Sequence, residues 1–507
     1  MDKIQNFVKT LGLLGLFSLL FLLSCSEKKE VPLTEDPLRH LEPLANKMYT
    51  EMRRAFPTVM GHPFAMNSWE ISSADSRNCL PSQQQDQAAD FFRLQPMSDF
   101  AFPDKRKTGN FNLLLGSTSA NTFSPISLAY TKSSPAYYQH ISTESKSSLA
   151  FASGMRASIF ELSGKQQDTL RLFISNRENA SYTKINFYPH SGEIWLEDSI
   201  PPLYKEYGHP KGLKLSYLIQ TQQKYTHYGS WDGELIQKNT TEVISRGGNK
   251  GIFVDFPLDS ATVLRVKTAS SYWNIKAARQ NLKAEIPGWD REEVRLSTEE
   301  TWKQLLGKIK LAFPTDLENN LRSFYQDLYV CSLYPRIYND VDGLYPDIFD
   351  PGAAGILEAG NYYADLSTWS NLDNPHCRLI YLFYPSYFGE IAPSLKEIAP
   401  RIHDSATISL KKESGVKKLE AASLKLLNRL GLNPVSGPDY RFEIIPTDIA
   451  SWSLKIDEKT QFTCKVNRIH PNSQVIESVK LEGEEIKCEA LSLDQIHAGG
   501  QLEITLR

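Results

Sequence analysis

Between Ser270 and Tyr345 the apolar residues fall at three- and four-residue steps in three successive runs, each closed by its own stop. That periodicity places one side of each run on a single stripe of an α-helix. The first run sets Ile275, Ala278, Leu282 and Ile286 in line and ends at Pro287-Gly288. Proline cannot continue the helix, and glycine weakens it. The second is predicted to open at Ser297-Thr298-Glu299-Glu300, a capping box in which Ser297 and Glu300 satisfy each other's backbone amides. Its stripe is Trp302, Leu305, Leu306 and Ile309. The third is predicted to open the same way at Thr315 and Glu318. It carries Leu317, Leu321, Phe324, Leu328 and Cys331, and ends before Pro335. An acidic turn, Asn339-Asp340-Val341-Asp342-Gly343, follows.

The flanks are patterned differently. From Tyr49 to Lys267 short alternating runs such as Phe111–Leu115, Leu170–Ile174, Lys184–Tyr188, Leu213–Ile219, Val243–Ser245, Ile252–Phe256 and Ala261–Val266 recur between Gly, Asn, Asp and Ser. Many short strands at such spacing predict an antiparallel β-sandwich. Residues Arg401–Arg429 read as a helix rich in Lys and Glu, its stripe Leu419, Ser423, Leu426, Leu427 and Leu430. From Tyr440 onward strands return, with Glu482-Gly483 as a tight hairpin turn. The class is therefore multidomain α+β, in a chain of 507 residues long enough for two or three cores. The expected divisions are a signal segment over 1–24, a tether over 25–48 and a sandwich over 49–267. A helical region over 268–430 and a C-terminal β-sheet over 431–507 complete them.

Lys3 and Lys9 precede the apolar run LGLLGLFSLLFLLS, the layout of a secretory signal. It ends in Leu22-Leu23-Ser24-Cys25, which resembles a bacterial lipoprotein cleavage box and implies lipidation of Cys25. The alternative is a plain secretory signal. Several acyl chains would hold the protein stably at a membrane, so the expected location is the bacterial cell envelope, on the outer membrane. A formal net charge of -3 without a long basic run argues against nucleic acid as a partner. The remaining cysteines, Cys79, Cys331, Cys377, Cys464 and Cys488, show no zinc spacing. Cys464 and Cys488 either pair or stay as buried thiols. The histidines are scattered, without the spacing of a metal site or a nucleophilic relay, so no metal ligand is assigned. Trp231-Asp232 reads either as a sugar-stacking face beside a carboxylate or, more simply, as a turn beside a half-buried ring.

The segments SYWNIKAARQNLKAEIPGWD and FYQDLYVCSLYPRIYNDVDGLY resemble the linker and first barrel helix of glycoside hydrolase family 92, whose members are mostly exo-acting α-mannosidases of glycan-degrading bacteria. The resemblance implies a β-sandwich that borders the active site and an (α/α) toroid of paired helices. Pro63-Phe64-Ala65-Met66 and Ser134-Pro135-Ala136-Tyr137-Tyr138 resemble two of its sandwich motifs, each with alanine where the family has glycine. If the first of these positions needs positive φ, alanine there is strained. Phe91–Ser98 lacks the two histidines the family carries in that place. Asp340, Asp342 and Gly343 match the family's Asp-Val-Asp-Gly, where an aspartate contacts the terminal sugar; a carboxylate suits that task because it accepts from two hydroxyls at once. Trp369 is kept from a further family segment whose aspartate is Ser370 here. Leu430–Ser436 and Gln495–Gly500 rejoin the family pattern.

The stretch that in the family brings the glutamate general acid, and the Gly-Asn-Asp-Asp run with the general base and calcium ligands, has no counterpart in this sequence. Inverting glycoside hydrolysis needs an acid and a base roughly 6.5–9.5 Å apart. The resemblance therefore implies a shortened copy with a truncated toroid-like helical region, no assigned catalytic residue and no calcium cofactor. Asp340, Asp342 and Trp369 are its sugar-binding candidates. The expected function is a catalytically degenerate, mannoside-binding surface lipoprotein, with a mannose-containing glycan and the membrane as partners. Two alternatives stay open: an active exo-α-mannosidase using Asp340, Asp342, Glu358 or Asp365, and a scaffold that binds no sugar.

Overall fold

Small residues on one face of a β-sheet let a helix lie close against it, and this governs how the chain is layered. The computed structural model describes residues 36–41, 59–72, 91–95, 111–119, 122–125, 132–142, 147–163, 169–176, 182–200, 213–233, 235–246, 250–257, 263–347, 350–363, 374–385, 414–437, 440–486 and 490–507. The signal segment with Cys25, residues 25–35 and 42–48 of the tether, residues 401–413, Cys79, Asp365, Trp369, Ser370 and Cys488 lie outside them.

Two sheets of nine strands form the sandwich. The first runs from Val59–Met60 through Ser68–Ser72, Phe91–Gln95, Phe111–Ser119, Thr169–Asn176, Lys250–Pro257 and His227–Asp232 to Leu235–Lys238, with Thr122–Pro125 added on Phe111–Ser119. The second runs from Glu242–Ser245 through Tyr182–Tyr188, Glu193–Ile200, Leu213–Thr221, Leu264–Ser271, Ala157–Ser163, Ser147–Ser153 and Tyr137–Ser142 to Lys132–Ser134. The pairings are antiparallel, and the expected strands fall within these spans except Ala261–Val266, whose place is taken by Leu264–Ser271, set further along the chain. Between the sheets, residues such as Leu172, Ile174, Val254, Ile185, Leu196, Phe151 and Phe160 form the core. The second sheet is covered on its other face as well. There Ala152, Ala157, Ile159, Leu218 and Ala269 meet Ala278, Leu282, Ile286 and Val294 of the helical linker. That double burial is why Leu264–Ser271 is buried almost without alternation. Trp231 is neither a stacking face nor half-exposed. It lies buried in a strand, edge-on to Phe173 at 5.0 Å, while Asp232 pairs with Lys250.

Six α-helices occur among the described residues. Helix α1 (Ile275–Glu285) is capped by the Asn274 side chain, which accepts from the Ala277 amide, and buries the expected stripe. Helix α2 spans Arg291–Leu306 and starts two turns before the expected Ser297. Asp290 caps it by accepting from the Glu292 amide, Glu292 and Glu293 complement the positive helix end, and Val294 and Thr298 extend the buried face backward from Trp302. Ile309, assigned above to the helical stripe, lies instead in the strand Ile309–Ala312 and pairs with Leu454. Helix α3 (Leu317–Cys331) buries Leu321, Phe324, Leu328 and Cys331 as expected, but not through a capping box. Asp316 precedes it with φ of 46° and makes no side-chain cap bond; the Asn319 amide donates to the Asp316 carboxylate instead.

Helix α5 (Ser414–Arg429) packs on both α3 and α4 (Pro375–Phe383). Leu419, Leu426 and Leu427 of α5 are fully buried, so this helix covers apolar faces of the helical region. A buried polar chain joins the three. His376 Nε2–H donates to the Tyr334 carbonyl at 3.1 Å, which leaves Nδ1 to accept from Ser423 Oγ at 3.0 Å. Ser423 Oγ lies 3.3 Å from the Cys331 thiol. Burial lowers the His376 pKa from 6.5 to about 3. Its neutral form therefore adds stability that is complete above pH 6.5 and is lost as pH falls toward 3, at about 1.4 kcal/mol per pH unit. His376→Gln should accordingly flatten the acid limb of a urea-midpoint-versus-pH curve, and an unchanged limb would refute the assignment.

The C-terminal sheet joins Ile309–Ala312, Ser451–Lys455, Gln461–Arg468, Gly500–Leu506, Ile476–Leu481 and Glu484–Glu485 in that order, with Gln461–Arg468 and Gly500–Leu506 parallel. Glu482 and Gly483 both adopt positive φ, 53° and 82°, as a two-residue hairpin demands. Helix α6 (Leu493–His497) opens with a complete Ser492/Gln495 capping box. Cys464 is a buried free thiol.

Candidate functional site

The acidic turn is held by what comes before it in the chain. Gly343 closes it at φ of 81°, and a Cβ there would stand 2.2 Å from the Leu357 carbonyl oxygen, so only glycine fits. The two aspartates of the turn have opposite fates. Asp342 is exposed, and its Oδ1 accepts from the Leu344 amide at 3.3 Å. Asp340 is buried. Its Oδ2 accepts from Ser271 Oγ at 2.7 Å and its Oδ1 from Asn281 Nδ2 at 2.6 Å. Asn281 lies on α1, fully buried, and returns the contact by accepting the Val341 amide at 2.9 Å.

One turn further along α1, on the same face, stands Glu285. Its Oε2 accepts the backbone amides of Arg156 and Ala157 at 2.7 and 3.0 Å, and its Oε1 accepts from Arg156 Nη1 at 3.1 Å. The Arg156 side chain is 8% exposed; Nε donates to the Asn339 carbonyl at 2.7 Å and Nη2 to Asn361 Oδ1 at 3.4 Å. A single guanidinium at the head of a sandwich strand therefore ties together the linker helix, the acidic turn and the segment after the hairpin of Leu344–Asp347 with Asp350–Ile356. Burial raises the Glu285 carboxyl above its ordinary range, with Arg156 opposing. Burial also raises Asp340 to about 6, against the Asn281 and Ser271 hydrogen bonds and the Arg156 charge.

A carboxyl whose folded pKa exceeds its unfolded value near 3.8 stabilises the fold fully below that value, and the contribution is lost as pH rises through about 6. Asp340→Asn removes the titration, so the variant should gain on the parent between pH 4 and 6 by about 1.4 kcal/mol per pH unit. Urea midpoints at pH 4, 5, 6 and 7 measure this; parallel curves would show that Asp340 does not titrate in that window.

Beside this hub a cleft of about 290 Å³ opens, lined among others by His62, Arg156, Glu285, Pro287, Glu293 and Ser297. The turn after α1 that forms one wall is fastened from below by buried Lys267, whose Nζ donates to the Ile286 and Gly288 carbonyls at 2.9 and 3.0 Å and stands 4.3 Å over the Trp289 ring. Ammonium at a helix C-terminus answers its partial negative charge. His62 belongs to the segment that continues into Pro63-Phe64-Ala65-Met66. There Phe64, not Ala65, takes the left-handed conformation, with φ of 56°. The expected strain thus sits one residue earlier, held by hydrogen bonds from the Phe64 amide to Ser332 O and from the Ile337 amide to Phe64 O.

Of the residues singled out from the sequence, the structure buries Asp340 and exposes Asp342, and Trp369 lies outside the described residues. Ser271, Asn281, Arg156, Glu285 and His62 were not singled out. The legible signal was Asn281 and Glu285, two polar residues four apart beside the apolar stripe of α1. Among the described residues no group of three His, Cys, Asp or Glu side chains stands where it could hold a metal ion.

Residues 277–409 match the glycosyl hydrolase family 92 catalytic domain. No curated protein matches the chain. Among solved structures, an inverting mannosidase of family GH92 from Bacteroides thetaiotaomicron VPI-5482 superposes with a TM-score of 0.72 at 12% identity, covering 93% of this chain and 97% of that one. An α-mannosidase of the same family from Bacteroides thetaiotaomicron, in complex with mannoimidazole, gives 0.65 at 12% identity over 90% and 92%. A GH92 family glycosyl hydrolase, ccman5, gives 0.67 at 9% identity over 89% and 95%. At such identity the likeness is one of fold.

Proposed function

With the chain resembling glycoside hydrolase family 92 in both a sequence segment and fold, we propose that it is a glycan-binding, non-hydrolysing relative of the family's α-mannosidases. In this reading it is a pseudoenzyme with a truncated toroid of helices, anchored at the bacterial cell envelope through Cys25. The observation that carries it is the division of the acidic turn. Asp340 is engaged by Ser271 and Asn281 in the interior, and Asp342 is left at the surface. A buried carboxylate with two internal donors supports the turn, whereas an exposed one can accept from sugar hydroxyls. An acid–base pair at inverting separation is not assembled from one accessible aspartate. The mannoimidazole complex of the similar α-mannosidase supports mannose as the sugar class.

The test has two arms on the full chain. Incubation with a chromogenic α-mannoside and calcium should give no turnover, and titration with mannose-terminated oligosaccharides should show saturable binding that Asp342→Ala weakens about tenfold. Turnover abolished by Asp340→Ala or Asp342→Ala would establish an active exo-α-mannosidase. The absence of both turnover and binding would leave a sugar-free scaffold.

A further inference from the structure

The cleft beside the Arg156–Glu285 pair has a chemical bias that the mannoside reading does not use. At about 290 Å³ it sits at the small end of ligand pockets, room for one ring or a short chain. Most of its donors are already engaged. Every nitrogen of Arg156 has a protein acceptor, the Thr298 hydroxyl donates to Ser153 O at 2.8 Å, and Lys267 is committed to the carbonyls of the turn.

Its acceptors are not. His62 Nδ1–H donates to the Pro63 carbonyl at 2.9 Å, so Nε2 keeps its lone pair, and no bond among the described residues uses it. Burial holds the His62 pKa at about 4, which keeps the ring neutral and Nε2 an acceptor at neutral pH. Glu285 Oε1 accepts only from Arg156. Asp290 uses Oδ1 to cap α2 and leaves Oδ2 open. Glu293, exposed on the first turn of α2, makes no ion pair among the described residues. Glu285, Asp290 and Glu293 set three negative charges against the two of Arg156 and Lys267, one net negative charge around the cleft. An anion meets carboxylates here; a cation rich in N–H donors meets what the wall lacks. Pro287 and Val294 add an apolar side for the body of such a ligand.

We propose that this cleft binds a small ligand carrying a protonated primary amine, of the size of an amino sugar, with its ammonium toward Glu293, Asp290 and His62 Nε2. The site does not depend on mannoside recognition at Asp342. Ammonium brings three donors and one positive charge, which matches both the acceptor surplus and the charge of the wall.

The experiment titrates the full chain with D-glucosamine, N-acetyl-D-glucosamine and D-glucose by calorimetry at pH 7. Glucosamine should bind saturably and at least tenfold more tightly than its acetylated or hydroxyl counterparts, and Glu293→Gln should erase that preference. Glu293 is exposed, so the substitution leaves the fold intact, and Ser297→Ala on the same wall serves as the second variant, expected to weaken glucosamine severalfold. Equal binding of glucose and glucosamine would make the cleft a neutral polyol site. No saturable glucosamine binding, or a Glu293→Gln protein that binds as the parent does, would also overturn the assignment.

Discussion

Arg156→Ala is expected to lower the stability of the folded protein by about 3–5 kcal/mol, the usual range for removing one partner of a buried ion pair. The substitution leaves the Glu285 carboxylate with backbone amides alone, strands the Asn339 carbonyl, and withdraws the positive charge that opposes the raised pKa values of Glu285 and Asp340. The loss should be greater at pH 8 than at pH 5. Both carboxyls have folded pKa values above their unfolded ones, so protonation at the lower pH relieves the uncompensated charge. Adding Glu285→Gln to the variant should restore part of the loss, because an amide in place of the orphaned carboxylate has no charge to bury. Urea unfolding of the two single variants and the double closes the cycle. A double variant no more stable than Arg156→Ala alone would mean that charge is not what the pair contributes.

Trp302→Ala should cost about 3–5 kcal/mol as well, by a different route. The indole is fully buried on α2, 5.0 Å from the Tyr329 ring of α3, and its Nε1–H donates to the Gly61 carbonyl at 2.9 Å. It thus pins the Gly61–Met66 segment, with its left-handed Phe64, to two helices. Alanine removes the packing and orphans the carbonyl together. Trp302→Phe keeps most of the ring volume and should cost only about 1–3 kcal/mol, the penalty of an unsatisfied buried acceptor. An alanine variant within about 1 kcal/mol of the parent would show that the site collapses around the loss.

How much of this was legible depends on the range of the interaction concerned. The α1 stripe, the stop at Pro287-Gly288, the buried face of α5 and the Glu482-Gly483 hairpin are local, and each was readable from spacing. The start of α2 was missed because Asp290 and Ser297 are both competent caps, and only the sheet beneath Val294 favours the earlier one. Ile309 continued a helical spacing past Gly307, yet its backbone found a partner in Leu454, 145 residues on, and became a strand. The acidic turn was visible as a turn. Which of its aspartates faces water was not, since that rests on Ser271 and Asn281 arriving from α1 and the strand before it.

By itself the sequence determined the elements, their order and the family they resemble, because helix and strand periods, caps and turn residues act within a few positions of the chain. Only the tertiary structure decided that the second sheet is covered on both faces, that Asp340 is internal, and that Arg156 joins segments 129 to 205 residues distant. Burial and hydrogen-bond partnership are properties of the packed chain, and contacts over such separations leave no period for a sequence to display.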